Sequence, residues 1–271
     1  MRLLVVTLAA SLAASAADNV LTADEKRDGF RLLFDGKTFR NWQDPAKKNL
    51  PGDAWAISDG ALKTVVKPRI EEDLLSEQEY GDYELRFDWR VSEGGNTGLK
   101  YRLQRLIFVD KTKVQPGPGG FEGLLGREIS NPRSDRTKLP TAAGGFVYTI
   151  GFEYQLIDDQ RHPDAKRGPD RRTGALYSMI PPVEGHAKPA GDWNSSRLIV
   201  RGDRVEHWLN GTKVLDASLK DDRVIAGVNK RWKDVPSIRE NLTNPKPRGF
   251  IALQHHGDEV WFRSIRVREM K

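Results

Sequence analysis

The feature that most constrains this chain is a nine-residue stretch, Tyr83-Glu84-Leu85-Arg86-Phe87-Asp88-Trp89-Arg90-Val91, in which every odd position is apolar and every even one charged. A period of two describes a β-strand with one face on a core and the other toward water, as in antiparallel sheets. Register follows from the same pattern, because a slip of one residue would drive four charges into the core. Fully buried, the five apolar side chains contribute on the order of 10 kcal/mol as an upper bound.

Further strands are expected at 30–34, 55–57, 61–66, 98–103, 146–157, 174–180, 197–201, 205–209, 213–215, 249–256 and 260–267, with Gly, Pro, Asn and Asp between them. Asn210-Gly211 and Asp59-Gly60 each separate two such runs and predict tight type I′ hairpin turns. No helical periodicity of useful length follows the first 17 residues, and no internal repeat is visible. The pattern predicts an all-β fold, a jelly-roll β-sandwich of two antiparallel sheets, with residues 18–271 forming one domain. Residues 104–145, read as a long insertion, and 217–248 break the alternation and are expected to be lids, binding loops or disordered surface.

The first residues bound the setting. Met1-Arg2, an apolar stretch from Leu3 to Leu12 and Ala14-Ser15-Ala16 form a basic start, a hydrophobic segment and an A-x-A site. That is the pattern of a secretory leader over 1–17, and it predicts a secreted or periplasmic protein. A frayed helix or a retained anchor is the alternative. No later segment approaches the length of a membrane span. With no cysteine, the chain forms no disulfide, thiolate metal site or cysteine nucleophile. A net charge of +6 is dispersed, without a basic run of five or a nucleic-acid motif, so no nucleic-acid partner is expected. No protein partner is evident. G-x-S-x-G, H-E-x-x-H, Walker and dinucleotide motifs are absent, and the five histidines include no i, i+4 pair.

Three segments place polar side chains where a sandwich would show a bland outer face. In Gly151-Phe152-Glu153-Tyr154-Gln155-Leu156-Ile157-Asp158, alternation sends Phe152, Tyr154 and Leu156 inward. Glu153 and Gln155 then point outward, and Asp158 rejoins them if the strand end is bulged. Ile251 and Leu253 face the core, so Gln254 and His256 share the opposite face, while His255 goes with the core set. Leu99 and Tyr101 point inward, leaving Lys100 and Arg102 outward near Asn96. If these strands are neighbours, one face gathers a carboxylate, two amides, an imidazole and two cations, a set able to fix sugar hydroxyls and move protons. Tyr177 and Trp193 sit in aromatic-polar turns and are candidate cleft walls, since aromatic rings stack on the C–H faces of sugars. A solvated sheet face and ordinary packing account for the same residues until adjacency is known.

Ordered blocks from residue 30 to 268 carry a resemblance. They include Leu33-Phe34-Asp35-Gly36-Lys37, Tyr80-Gly81-Asp82-Tyr83-Glu84-Leu85, Gly95-Asn96-Thr97-Gly98-Leu99-Lys100-Tyr101-Arg102 and Gly151 to Asp158. Thr173-Gly174-Ala175-Leu176-Tyr177, Gly191-Asp192-Trp193-Asn194, His207-Trp208-Leu209-Asn210-Gly211 and Gly249-Phe250-Ile251-Ala252-Leu253-Gln254 follow. Together they resemble the secreted 3-keto-disaccharide hydrolase family, whose fold is a concanavalin A-like jelly roll. Two departures stand out: 102–151 is longer than the family pattern, and His255 occupies the Asp position of its Leu-Gln-Asp-His-Gly run. Glu153-x-Gln155-x-x-Asp158 is also spaced like the E-x-D-x-x-E strand of laminarinase-type glycosidases, but a neutral Gln replaces the middle acid, so their retaining mechanism does not carry over.

The resemblance implies cleavage of a sugar already oxidised to a ketone at C3. Such a carbonyl acidifies the C2 hydrogen, and the resulting enolate expels the C1 oxygen. On this reading His256 or Glu153 is the base and Asp158 its partner or the acid, while Gln155, Gln254, Asn96 and Arg102 orient the sugar or stabilise the enolate. A divalent metal ion held by Glu153, Asp158 or His256 is compatible with the pattern. A non-catalytic carbohydrate-binding module and a glycosidase acting on unoxidised glucan are the rival readings.

Overall fold

The computed structural model describes residues 18–44, 54–67, 71–110, 120–129 and 145–270. The expected leader and most of the segment between 110 and 145 lie outside these residues. In chain order the strands are β1 (Arg31–Leu32), β2 (Trp42–Gln43), β3 (Trp55–Ser58), β4 (Ala61–Thr64), β5 (Leu74–Ser76), β6 (Tyr83–Val91) and β7 (Asn96–Asp110). They continue with β8 (Gly145–Ile157), β9 (Asn194–Arg201), β10 (Arg204–Leu209), β11 (Thr212–Ser218), β12 (Ala252–Leu253) and β13 (Val260–Glu269). Helices are α1 (Ala23–Arg27), α2 (Gly120–Ile129), α3 (Asp222–Arg231) and α4 (Pro236–Thr243).

Two antiparallel sheets form the sandwich. The larger runs β11-β10-β9-β6-β13-β4-β3, with β1 also on β13, and the smaller runs β2-β5-β12-β7-β8. The core lies between them: Leu85, Phe87 and Trp89 of β6 are buried together with Leu99, Tyr101, Phe152, Tyr154, Leu156, Ile251 and Leu253 of the smaller sheet. This is the face each side chain's parity predicts. Both hairpin turns also form as expected, with φ of 51° and 72° at Asp59-Gly60 and of 48° and 88° at Asn210-Gly211.

Three expectations are corrected. Residues 174–180 form a turn joined to β8 by the isolated bridge Tyr154–Leu176, because Gly174 at φ 94° and Ser178 at φ 62° break the extended backbone. The 217–248 segment is helical: Asp221 caps α3 by accepting from the Arg223 N–H, and Val224, Val228, Ile238 and Leu242 bury the inward faces of α3 and α4. Such short helices show too few apolar repeats to be read in advance. On β6, Glu84 is not wet but 2% exposed, enclosed by Arg86, Arg197 and Arg268 on the outer face.

His207 of β10 shows what the core does to an imidazole. It is fully buried, stacks on Tyr154 at 4.2 Å, donates from Nδ1 to the Gly174 carbonyl and accepts at Nε2 from the Tyr101 hydroxyl. Burial pushes its pKa down to about 4, against the Gly174 hydrogen bond, which works the other way. Above pH 6.5 the ring is neutral in both folded and unfolded chains. As pH falls toward 4 only the unfolded chain takes the proton, so stability falls by roughly 3 kcal/mol. Urea unfolding at pH 7.5 and pH 4.5 is expected to show this loss, and His207→Asn to make the difference between the two pH values smaller.

Candidate active site

The site is built on the outer face of the smaller sheet, where neighbouring strands place their polar residues in two rows. Lys100 of β7 pairs with Glu153 of β8 and with Ala252 of β12. One step along, Gly98 pairs with Gln155, and the Gln254 N–H donates to the Gly98 carbonyl at 2.9 Å. Gly98 is the gap in this face. A Cβ there would stand 2.7 Å from Cγ and 2.8 Å from Cδ of Glu153, and closer still to Oε1, so the missing side chain is what lets the carboxylate lie over β7.

Around that carboxylate the polar groups are ordered. With its amide nitrogen toward the acceptors, Gln155 donates to Glu153 Oε1 and to the Thr97 carbonyl, 3.1 Å each. Lys100 is 4% exposed and donates to Asp73 at 2.9 Å and to Thr149 at 3.0 Å, while Thr149 donates to the same Asp73 oxygen at 2.6 Å. Burial alone would lower the Lys100 pKa, but Asp73, with Tyr148 and Glu153, outweighs it and keeps the ammonium charged. The Glu153 pKa is raised too, but by burial: desolvation lifts it and Asp73 adds to this, against Lys100, Arg231 and His256. A carboxylate raised in this manner is a stronger base than one in water. Gln254 Oε1 is buried and, among the described residues, accepts no hydrogen bond.

The walls come from the connections. Tyr177 is tied through its N–H to the Glu153 carbonyl, and its hydroxyl bridges Arg171 at 2.5 Å and Asp164 at 2.7 Å. Arg231 at the end of α3 lies 4.6 Å from the Tyr177 ring centroid and, with Trp232, Met179 and Lys100, lines a pocket that contains Glu153. On the other side, His256 is about half exposed, with Nδ1 3.8 Å from Asp258. The polar approach of Asp258 to the ring raises the His256 pKa; burial opposes this, and the charges of Asp258, Glu153 and Glu71 add to it.

Glu153, Gln155, Gln254, His256, Lys100 and Tyr177 are thus brought to one region, and Asn96 borders it, its N–H donating to Asp258 at 3.1 Å. Three expected residues are elsewhere. Asp158 accepts from the N–H groups of Gly94, Gln160 and Arg161 at 2.8, 3.0 and 3.2 Å, which fastens two loops together. Burial alone would raise its pKa, but these bonds outweigh it and hold the carboxyl below its usual value, unsuited to an acid. Arg102 sits in a bulge at φ 50°, and its guanidinium is committed to the carbonyls of Lys246 and Gly202. Trp193 lies under Arg263 and Arg90, at 4.0 and 5.0 Å, on the outer face of the larger sheet. His255 is buried, as its parity predicts: Gly257 N–H donates to its Nδ1, and its Nε2 donates to the Val65 carbonyl.

Because Asp158 is committed to backbone amides, Glu153, Asp158 and His256 do not make a metal-binding set. Sequence reasoning missed Asp73, Thr149, Arg231, His162 and Asp258. Thr149 shares the parity of Glu153 and was within reach of the alternation argument; Arg231 and Asp73 arrive from segments with no strand pattern.

Comparison with known proteins identifies the family. Residues 29–268 match the sequence model of the 3-keto-alpha-glucoside-1,2-lyase-like domain. A 3-keto-disaccharide hydrolase of Bacteroides thetaiotaomicron is 32% identical over 97% of this chain and 86% of its own length. A solved structure from Parabacteroides distasonis, named as a candidate glycosyl hydrolase, superposes with a TM-score of 0.67 at 26% identity, covering 94% of this chain and all of that one. A second from the same organism superposes at 0.54 with 21% identity over 84% and 99% of the two chains, and shows the shared fold. With the family model covering most of the sequence, the chain belongs to the 3-keto-alpha-glucoside-1,2-lyase-like, or 3-keto-disaccharide hydrolase, family.

Proposed function

We propose that this protein cleaves the glycosidic bond of 3-keto-disaccharides or 3-keto-glycosides, with Glu153 as base and His256 as acid. The observation that carries the reading is the Glu153 carboxylate, which lies over Gly98, lines a pocket with Lys100, Tyr177 and Arg231, and is made more basic by burial. On the neighbouring segment the buried Gln254 Oε1 is an acceptor that a sugar hydroxyl would satisfy. A module that only binds sugar has no need of a base made stronger by burial.

Glu153 takes the proton from C2, and the electron pair of that C–H bond passes into an enolate whose charge rests on the C3 oxygen. Lys100 and Arg231, whose positive charges already act on Glu153, would stabilise that charge. Collapse of the enolate restores the C3 carbonyl, forms a C1–C2 double bond and breaks the C1–O bond, while His256 gives its proton to the departing oxygen. Water then adds at C1 and a proton returns to C2, so the sum is hydrolysis with no net redox change. The leader sequence supports a protein that does this after export.

Mass-spectrometric turnover of 3-keto-trehalose and a 3-keto-glucoside, alongside trehalose and laminarin, tests the reading. Release of the aglycone from the oxidised substrates only, in chelator as well as without it, is the expected result. Comparable release of reducing sugar from laminarin, or binding without turnover of the keto sugars, would overturn it.

A further inference from the structure

Near Glu153, whose charge acts on His256, His162 stands in the loop after β8, and His256 and Asp258 in the turn between β12 and β13. One nitrogen of each imidazole and one Asp258 oxygen all lie within 4.8 Å of one another, and the rings meet edge to face at 6.0 Å. The residue types and their closeness suit a divalent cation, so the proton positions decide. The backbone N–H of Asp164 donates to His162 Nδ1 at 3.0 Å, which puts the hydrogen of the neutral ring on Nε2. A metal on Nε2 requires the opposite tautomer, with an Nδ1–H facing another N–H. In this tautomer the Nε2 of His162 carries a hydrogen and offers no lone pair to a metal. Asp258, in contrast, is held in place by the Asn96 N–H at 3.1 Å and faces His256 Nδ1 at 3.8 Å.

We propose that these three residues form a metal-free proton-holding cluster, in which His256 is the charged imidazole, the Asp258 carboxylate is the positioning residue that holds the proton on His256, and His162 remains neutral. Its use in catalysis rests on the reading of His256 as the acid. The titratable groups around His256 are Asp258 and His162, with Glu153 from β8 and Glu71 from the segment before β5. The carboxylates favour a charged His256, and burial together with the charge of His256 disfavours a second proton on His162.

The test follows the ring protons of both histidines by NMR across pH in wild type, Asp258→Asn and His162→Gln, with folding checked by circular dichroism and Co²⁺ added in a parallel titration. The cluster predicts a His256 midpoint above that of His162, a downward shift of the His256 midpoint in D258N, and no stoichiometric Co²⁺ binding. An unmoved His256 midpoint in D258N, or one-to-one Co²⁺ binding that H162Q abolishes, would overturn it. Turnover separates the two readings: if the His256 midpoint falls in D258N while the alkaline limb of the pH–rate profile stays in place, the cluster stands and the acid is another group.

Discussion

Replacing Glu153 by Gln is expected to lower the turnover number on a 3-keto-glycoside by about 10²–10⁴-fold, the range over which a positioned general base acts. The folded protein should lose nothing in stability. Gln has the shape of Glu, its amide can turn an oxygen toward the Gln155 donor, and it removes a charge that its surroundings already disfavour. Thermal melting at or above the wild-type midpoint, together with lost turnover and retained substrate binding, is therefore the expected combination. Turnover within tenfold of wild type would remove Glu153 from the base role.

The second large effect belongs to a residue with no functional group. Gly98→Ala places a methyl within 2.7–2.8 Å of Cγ and Cδ of Glu153, so the acid has to move. Its backbone is extended and accepts alanine, which confines the strain to the side chain above. A shift of about 1 Å in a reacting group costs on the order of a hundredfold in rate. Steady-state kinetics of G98A should show that loss mainly in the turnover number. A variant as active as wild type would mean that the carboxylate reaches its substrate from some other position.

The pair also shows how far the sequence could be read. Parity alone sorted Phe152, Tyr154, Leu156, Leu99, Tyr101, Ile251 and Leu253 to the core, and left Glu153, Gln155, Gln254, Lys100 and His256 on the other side, where the structure joins their strands. Parity fails where the strand stops being regular. The bulge turns Arg102 toward distant carbonyls, and the end of β8 hands Asp158 to backbone amides. It also says nothing about which sheet a turn joins, and so Trp193 falls on the opposite side of the molecule. Gly98 was readable in principle, since a glycine within a strand marks close approach of another group. His162, Asp258 and Asp73 were not, because the loops that carry them, and the segment leading into the short β5, show no period of their own.

The most direct measurement of the central claim is the fate of the hydrogen at C2. With wild-type enzyme in D₂O, the sugar released from a 3-keto-glycoside should carry one solvent deuterium at C2, because the C2–H bond is broken before the C1–O bond. Retention of the original hydrogen at full turnover would mean direct displacement at C1 and would contradict the assignment of Glu153 to that proton.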